Sequence, residues 1–124
     1  MPETKPVVLV VEDEILIRMD VVEQLGAKGY ILIEACNARE ALDAIGAAER
    51  VDLLFTDVDM PGDLDGIMLA REVARSWPKI CIIVTSGKSP IAAERLPPHC
   101  RFYAKPYETD AIHAAMREML SLGR

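Results

Sequence analysis

Short apolar runs alternate with segments of helical period along this chain, and that alternation limits the folds open to it. Val7–Val11 is a continuous apolar run, typical of a strand buried on both faces. The next segment predicts a helix with one apolar side, because apolar residues recur every three or four positions. They are Ile15, Met19, Val22 and Leu25. Strand and then helix recur in this way to the end of the chain, which predicts a parallel sheet with helices on both faces.

The other elements follow from the same two periods and from local capping signals. Asn37 followed by Glu40 resembles a capping box that opens a second helix. Ser89-Pro90 predicts the start of a helix that must be short, because Pro97-Pro98 stops it. The remaining strands are predicted at 30–35, 52–56, 80–84 and 101–104. A third helix is predicted from Leu69, Val73 and Trp77 at helical spacing, closed by Pro78, and a last helix at about 108–122.

Composition excludes several classes of protein. Apolar residues make up 51% and charged residues 27% of 124 residues, which indicates one globular domain over 1–124 with its core at about 6–122. A net charge of −6 argues against direct binding to nucleic acid or to anionic membranes. Neither a signal peptide nor a membrane-spanning run is present, and the three cysteines form no disulfide or zinc pattern. We therefore expect a cytoplasmic protein.

Polar residues follow the predicted strands at the edge where open parallel sheets bind ligands. The carboxylates would repel one another, and hard oxygen ligands favour Mg²⁺ as the compensating cation. Mg²⁺ with a lysine and a hydroxyl suits phosphoryl transfer, and no glycine-rich phosphate loop is present. Asp57 is then the natural nucleophile. The residues at this edge are Glu12, Asp13, Asp57, Asp59, Thr85, Ser86 and Lys105.

Taken together, these pieces resemble the receiver domain of two-component response regulators over essentially the whole chain. The match consists of Glu12-Asp13, of Asp57 with Met60-Pro61 and Asp65-Gly66, of Thr85-Ser86-Gly87, and of Lys105-Pro106, in that order. The resemblance implies a flavodoxin-like α/β fold, a three-layer (βα)5 sandwich with a five-stranded sheet of order 2-1-3-4-5. The fourth helix of that fold would be shortened here.

The resemblance also implies a role for each matched position. Asp57 would accept a phosphoryl group, with Mg²⁺ held by the side chains of Glu12, Asp13 and Asp57 and by the backbone carbonyl of Asp59. Lys105 would pair with a phosphoryl oxygen, and Thr85 would be drawn to the phosphoryl group while Phe102 turns inward as a switch. Pro61, Gly66 and Pro106 would shape the surrounding loops, Pro106 through a cis peptide bond.

The partner implied is a sensor histidine kinase or a histidine phosphotransfer protein. The chain would not be a turnover enzyme, although it would catalyse its own phosphorylation and dephosphorylation. With no effector domain in 124 residues, output would be a protein–protein contact with an unknown target. A homodimer through the last helix is also open.

Two alternatives compete with a phosphorylation switch. A haloacid-dehalogenase-type phosphatase also uses an aspartyl phosphate and needs an aspartate two residues later, which Asp59 supplies. A phosphate sink or passive interaction module would accept the phosphoryl group without changing shape. Two departures from the family bear on output: one extra residue between Asp57 and Gly66, and the short segment from Lys88 to His99.

Overall fold

Five parallel strands form one sheet in the order β2-β1-β3-β4-β5, which confirms the predicted topology. The computed structural model describes residues 5–60, 62, 64–87 and 93–122. The strands are β1 Val7–Val11, β2 Ile31–Ala35, β3 Leu53–Asp57, β4 Cys81–Ser86 and β5 Arg101–Ala104. The α-helices are α1 Ile15–Ala27, α2 Ala38–Ala47, α3 Gly66–Ser76 and α4 Thr109–Leu122.

The sheet separates two hydrophobic cores, because successive side chains of a strand point to opposite faces. On β1, Leu9 and Val11 pack on the side of α2 and α3, whereas Val8 and Val10 pack on the side of α1 and α4. Every residue of β1 is buried. Burying each such side chain contributes roughly 1.5–3 kcal/mol, so the central strands are held from both sides.

Helix α1 differs from the predicted amphipathic helix. Leu25 is buried as expected, but Ile15 and Met19 are 58% and 56% exposed, and Leu16 beside them is 78% exposed. The three-to-four spacing had placed Ile15 and Met19 on the inner side, and that prediction is wrong. The apolar residues of α1 that pack on the core lie in its second half and are Val21, Val22 and Leu25.

Side-chain caps fix where α2 and α3 begin. The Asn37 side chain accepts a hydrogen bond from the Glu40 amide at 2.8 Å, and Glu40 accepts one from the Cys36 amide at 2.9 Å, so the predicted cap is present. The Asp65 carboxylate accepts from the Met68 amide at 2.9 Å at the start of α3. Each cap satisfies a helix amide that has no intrahelical partner.

The connection between β4 and β5 contains no α-helix in the part that the structure describes. A 3-10 turn, Ala93–Arg95, is the helical element there, so the shortening of the fourth helix is confirmed. The predicted helix start at Ser89-Pro90 lies outside the described residues. Without a long helix on this side, the sheet face beside β5 is covered partly by Leu96 and Cys100.

Gly66 lets the first turn of α3 approach the end of β3 closely. A Cβ atom at this position would lie 2.1 Å from the Asp57 carbonyl oxygen and 2.6 Å from the Val58 Cα. The Gly66 amide donates to the Val58 carbonyl at 3.1 Å, so the two backbones are joined directly. Both obstructing atoms are backbone, and therefore neither can swing aside.

Replacing Gly66 by alanine should lower the free energy of unfolding by about 2–4 kcal/mol, because the β3 end or α3 must shift. The matched control is Gly46→Ala in α2, where nothing lies within 4 Å of the added Cβ. That change should raise stability by about 0.5–1 kcal/mol, since alanine favours helices. Urea unfolding of both variants measures the difference, and equal stabilities would contradict the close approach.

Candidate functional site

The carboxyl ends of β1, β3, β4 and β5 meet at one edge of the sheet and carry the predicted site residues. Glu12 follows β1 directly, and Asp57 is the last residue of β3. Thr85 lies directly beside Asp57 in the β3–β4 register. Thr85 and Ser86 belong to β4 itself, rather than following it as the sequence suggested.

Three carboxylates form a cluster that could hold a metal ion. Glu12, Asp13 and Asp57 each offer an oxygen, and these oxygens lie within 4.8 Å of one another. Glu12 and Asp57 are 5% and 6% exposed, whereas Asp13 is exposed and faces the solvent side. An all-oxygen set with one open side fits Mg²⁺, which is usually held by one or two carboxylates together with water.

Lys105 joins the two buried carboxylates. Its Nζ lies 3.1 Å from Glu12 Oε1 and 3.2 Å from Asp57 Oδ2. The Lys105 amide donates to the Ser86 carbonyl at 2.9 Å, which continues the β4–β5 pairing past the end of β5. The Lys105–Pro106 peptide bond is cis. The pairing with Ser86 holds Lys105 beside β4, and its side chain reaches Glu12 after β1 and Asp57 at the end of β3.

Burial is the largest single influence on the pKa of Glu12, Asp57 and Lys105. It raises the pKa of Glu12, and the hydrogen bond from the Glu14 amide partly offsets this. It also raises the pKa of Asp57, against the hydrogen bond from the Asp59 amide and the charge of Lys105. For Lys105, burial lowers the pKa, but Asp57 and Glu12 together outweigh it and raise the pKa. The ammonium therefore stays charged at neutral pH and offsets part of the negative charge.

The loop after β3 places Asp59 beside Asp57. The Asp59 amide donates to Asp57 Oδ1 at 3.2 Å, while the Asp59 carboxylate accepts a hydrogen bond from the Ser86 hydroxyl at 2.8 Å. The Asp59 side chain is thus held by β4 and lies outside the three-carboxylate cluster. Pro61 lies outside the described residues, and Gly62 has a φ of 107°.

The two predicted switch residues lie on neighbouring strands. Thr85 is 3% exposed, and its carbonyl accepts from the Val58 amide at 2.8 Å. Phe102 is the register partner of Val84 and packs half-buried against the core beneath α3. Thr85 is thus next to Asp57, and Phe102 is one strand further out.

Sequence patterns missed two side chains that contact or face the site. Arg18 donates to the Glu12 carbonyl at 2.8 Å. Tyr107 packs edge-to-face on Phe55 at 5.7 Å, and burial raises the pKa of its phenol, with Glu12 and Asp57 adding to the rise and Lys105 opposing it. Neither carries a local signature, because an arginine on a helix and an aromatic residue after a strand are common.

Comparison with known proteins agrees with this geometry. The sequence model of the response regulator receiver domain family matches residues 8–117 of this chain. The sensor kinase CckA of Brucella abortus is 37% identical over 117 residues, covering 91% of this chain and 12% of the kinase. Sporulation initiation phosphotransferase F of Bacillus subtilis is 29% identical, covering 93% of this chain and 94% of that protein. The response regulator TrrA of Thermotoga maritima, solved in complex with Mg²⁺-BeF, has a TM-score of 0.80 at 25% identity, covering 92% and 98% of the two chains.

The site and the family match identify the class of protein as a receiver domain of two-component signalling with an aspartate at the end of its third strand. This chain belongs to the response regulator receiver domain family. Because it spans only 12% of the CckA kinase, the match concerns the receiver portion of that protein. No helix in the described ranges is long and apolar enough to cross a membrane.

Proposed function

We propose that this receiver accepts a phosphoryl group from a phosphohistidine of a sensor kinase or phosphotransfer protein onto Asp57. The observation that carries the proposal is the Asp57 carboxylate, buried at the end of β3 with an ammonium 3.2 Å away and two further carboxylates beside it. Asp59 would add its backbone carbonyl to the Mg²⁺ ligands. Bound Mg²⁺ would supply charge neutralisation for the phosphoryl oxygens.

In the proposed transfer, Asp57 is the nucleophile and Lys105 stabilises charge. An Asp57 oxygen forms the new P–O bond as the P–N bond of phosphohistidine breaks, and the imidazole leaves with the bonding electrons. The Lys105 ammonium, now on Asp57 Oδ2, would move to a phosphoryl oxygen and stabilise its charge. The same groups would favour later attack by water. Catalysis of its own phosphorylation and dephosphorylation is therefore part of the proposal, without turnover of a separate substrate.

Labelling by acetyl phosphate tests the acceptor. The wild-type chain should gain one phosphoryl group in the presence of Mg²⁺ and none with EDTA, as seen by intact mass. Asp57→Asn should lose labelling, because the amide cannot act as the nucleophile. Asp59→Asn is the matched control and should remain labelled, since its carboxylate bonds to Ser86. Equal labelling of Asp57→Asn and the wild type would contradict the assignment.

Phosphorylation would act as a switch through β4 and β5. A phosphoryl group on Asp57 adds charge and acceptor oxygens beside Thr85, its register partner. Movement of the Thr85 hydroxyl toward that group would free space, and the half-buried ring of Phe102 could turn inward to fill it. The signal would then favour one of two existing arrangements of these strands.

Beryllofluoride, which mimics the phosphoryl group, separates a switch from a phosphate sink. In the wild type, NMR signals of Asp59 and of Phe102 should both shift on its addition with Mg²⁺. In Thr85→Ala the Asp59 signal should still shift, whereas the Phe102 change should be largely lost. A wild-type response confined to residues around Asp57 would favour the sink. The phosphatase alternative is disfavoured, because the Asp59 carboxylate is engaged by Ser86.

An apolar surface on α1, made of Ile15, Leu16 and Met19, supports the proposed partner. These side chains are 56–78% exposed and share one side of the helix. The surface begins two residues after Asp13, so a protein bound there would reach the carboxylate cluster. We propose that the protein bearing the phosphohistidine docks on it, because apolar contacts would hold that protein while the histidine faces Asp57.

Leu16→Asp should reduce phosphotransfer from a kinase that labels the wild type by about tenfold, as expected for loss of a central apolar contact. Labelling by acetyl phosphate should be unchanged, because Leu16 is 78% exposed and a small phosphodonor needs no docking surface. The control is Met68→Asp, which alters a 45%-exposed apolar residue on α3. Loss of kinase transfer in both variants, or in neither, would argue against docking on α1.

The remaining features of the proposal concern location and output. The three cysteines are free, which suits the reducing cytoplasm. We also propose that the output of the receiver is a contact with a protein target. The receiver could make this contact as a monomer or as a homodimer formed through α4. In the described part of the connection between β4 and β5 the helical element is the 3-10 turn Ala93–Arg95, so a target would meet less helical surface there than a full α-helix offers.

A further inference from the structure

Arg18 of α1 links three parts of the fold that meet behind the carboxylate cluster. One terminal nitrogen, Nη1, donates to the Glu12 carbonyl at 2.8 Å, and Nε donates to Glu34 Oε1 on the edge strand β2 at 3.1 Å. The side chain is only 16% exposed, whereas Glu34 is 46% exposed. The long side chain is thus packed along the molecule rather than extended into solvent.

The carbonyl that Arg18 binds belongs to the peptide unit joining Glu12 to Asp13. The other side of Glu12 is also fixed, because its amide donates to the Ala35 carbonyl at 3.1 Å. The Glu12 carboxylate is further held by the Glu14 amide at 3.1 Å. The orientation of the Glu12–Asp13 peptide sets the relative directions of these two side chains, and the Arg18 side chain donates a hydrogen bond to the carbonyl of this peptide.

The hydrogen bond from Arg18 to the Glu12 carbonyl orients the backbone and does not neutralise a carboxylate of the cluster. The Arg18 guanidinium meets a backbone carbonyl, while the carboxylates of Glu12 and Asp57 receive their positive charge from Lys105. A planar guanidinium can donate in two directions at once, as here to a carbonyl and a carboxylate, whereas an ammonium is a single point charge on a flexible stem. The hydrogen bond from Arg18 Nε to Glu34 fixes the plane of the guanidinium group.

We propose that Arg18 is a positioning residue for the Mg²⁺ site, with Glu34 as its orienting partner. This inference rests on the proposed function, because it assumes that Glu12, Asp13 and Asp57 bind Mg²⁺. Residues that orient metal ligands commonly change metal affinity by about 10–100-fold when altered. Arg18 would act in this way through the backbone, because it donates to the carbonyl of the peptide that joins Glu12 and Asp13.

Mg²⁺ titration followed by NMR of the full chain tests the inference. Arg18→Gln should raise the dissociation constant for Mg²⁺ about tenfold. Arg18→Lys should raise it less, because one contact can re-form. Labelling by acetyl phosphate should slow at low Mg²⁺ and approach the wild-type rate at saturating Mg²⁺, which general loss of structure would not produce.

Arg50 supplies the matched control at the opposite end of the sheet. It too donates to a carboxylate and a carbonyl, Asp52 Oδ2 at 2.9 Å and the Lys5 carbonyl at 2.6 Å. Arg50→Gln should leave Mg²⁺ affinity unchanged, even where the melting temperature falls as in Arg18→Gln. If Arg18→Gln does not fold, Arg18→Lys and Glu34→Ala each remove one contact and carry the test.

Two outcomes are decisive and distinguishable. Wild-type affinity for Mg²⁺ in Arg18→Gln, or in both single-contact variants, overturns the role of Arg18 and leaves the proposed function standing. Absence of Mg²⁺ binding at Asp57 in the wild type overturns the proposed function and the inference with it. An unchanged Arg50→Gln beside a weakened Arg18→Gln supports the inference.

Discussion

The contact on which the site depends is the Lys105 ammonium between the buried carboxylates of Glu12 and Asp57. Burial raises the pKa of both acids, so their ionised forms are disfavoured without a nearby positive charge. One ammonium cannot neutralise three carboxylates, and the cluster retains an excess of negative charge that a divalent cation could offset. The lysine reaches this position because the backbone after β5 continues the sheet pairing to Ser86.

That arrangement follows from the topology more than from any single side chain. Parallel strands bring their carboxyl ends to one edge, so residues far apart in sequence meet there. The backbone is crowded at this edge, and Gly66 permits the first turn of α3 to lie against the Asp57 backbone because it has no Cβ atom. Asp57 is therefore fixed by its own strand, by the Lys105 ammonium and by the close approach of the first turn of α3.

The residues alone predicted a parallel sheet and the acidic cluster, because buried strands are local signals, whereas the sheet order came from the resemblance to receiver domains. Strands β3 and β4 continue to Asp57 and Ser86, past their predicted ends. The prediction failed for α1, where regular spacing placed Ile15 and Met19 inside although both are largely exposed. Periodicity identifies an apolar side but not what covers it. Arg18 could not be predicted, since its partners on the β1–α1 loop and on β2 are brought together only by folding.

Helix α1 combines two roles that sequence analysis had not separated. Its inward Arg18 holds the Glu12–Asp13 peptide, and its outward apolar side chains form the surface proposed for the partner. Both lie within the first two turns, so a partner bound on α1 would contact the helix that carries Arg18, beside the two acidic residues proposed as metal ligands. A substitution of Arg18 can therefore change the rate of transfer from a kinase in two ways, by weakening docking on α1 and by moving the carboxylates of Glu12 and Asp13. A small phosphodonor needs no docking, so its rate of labelling reports only the effect on the carboxylates.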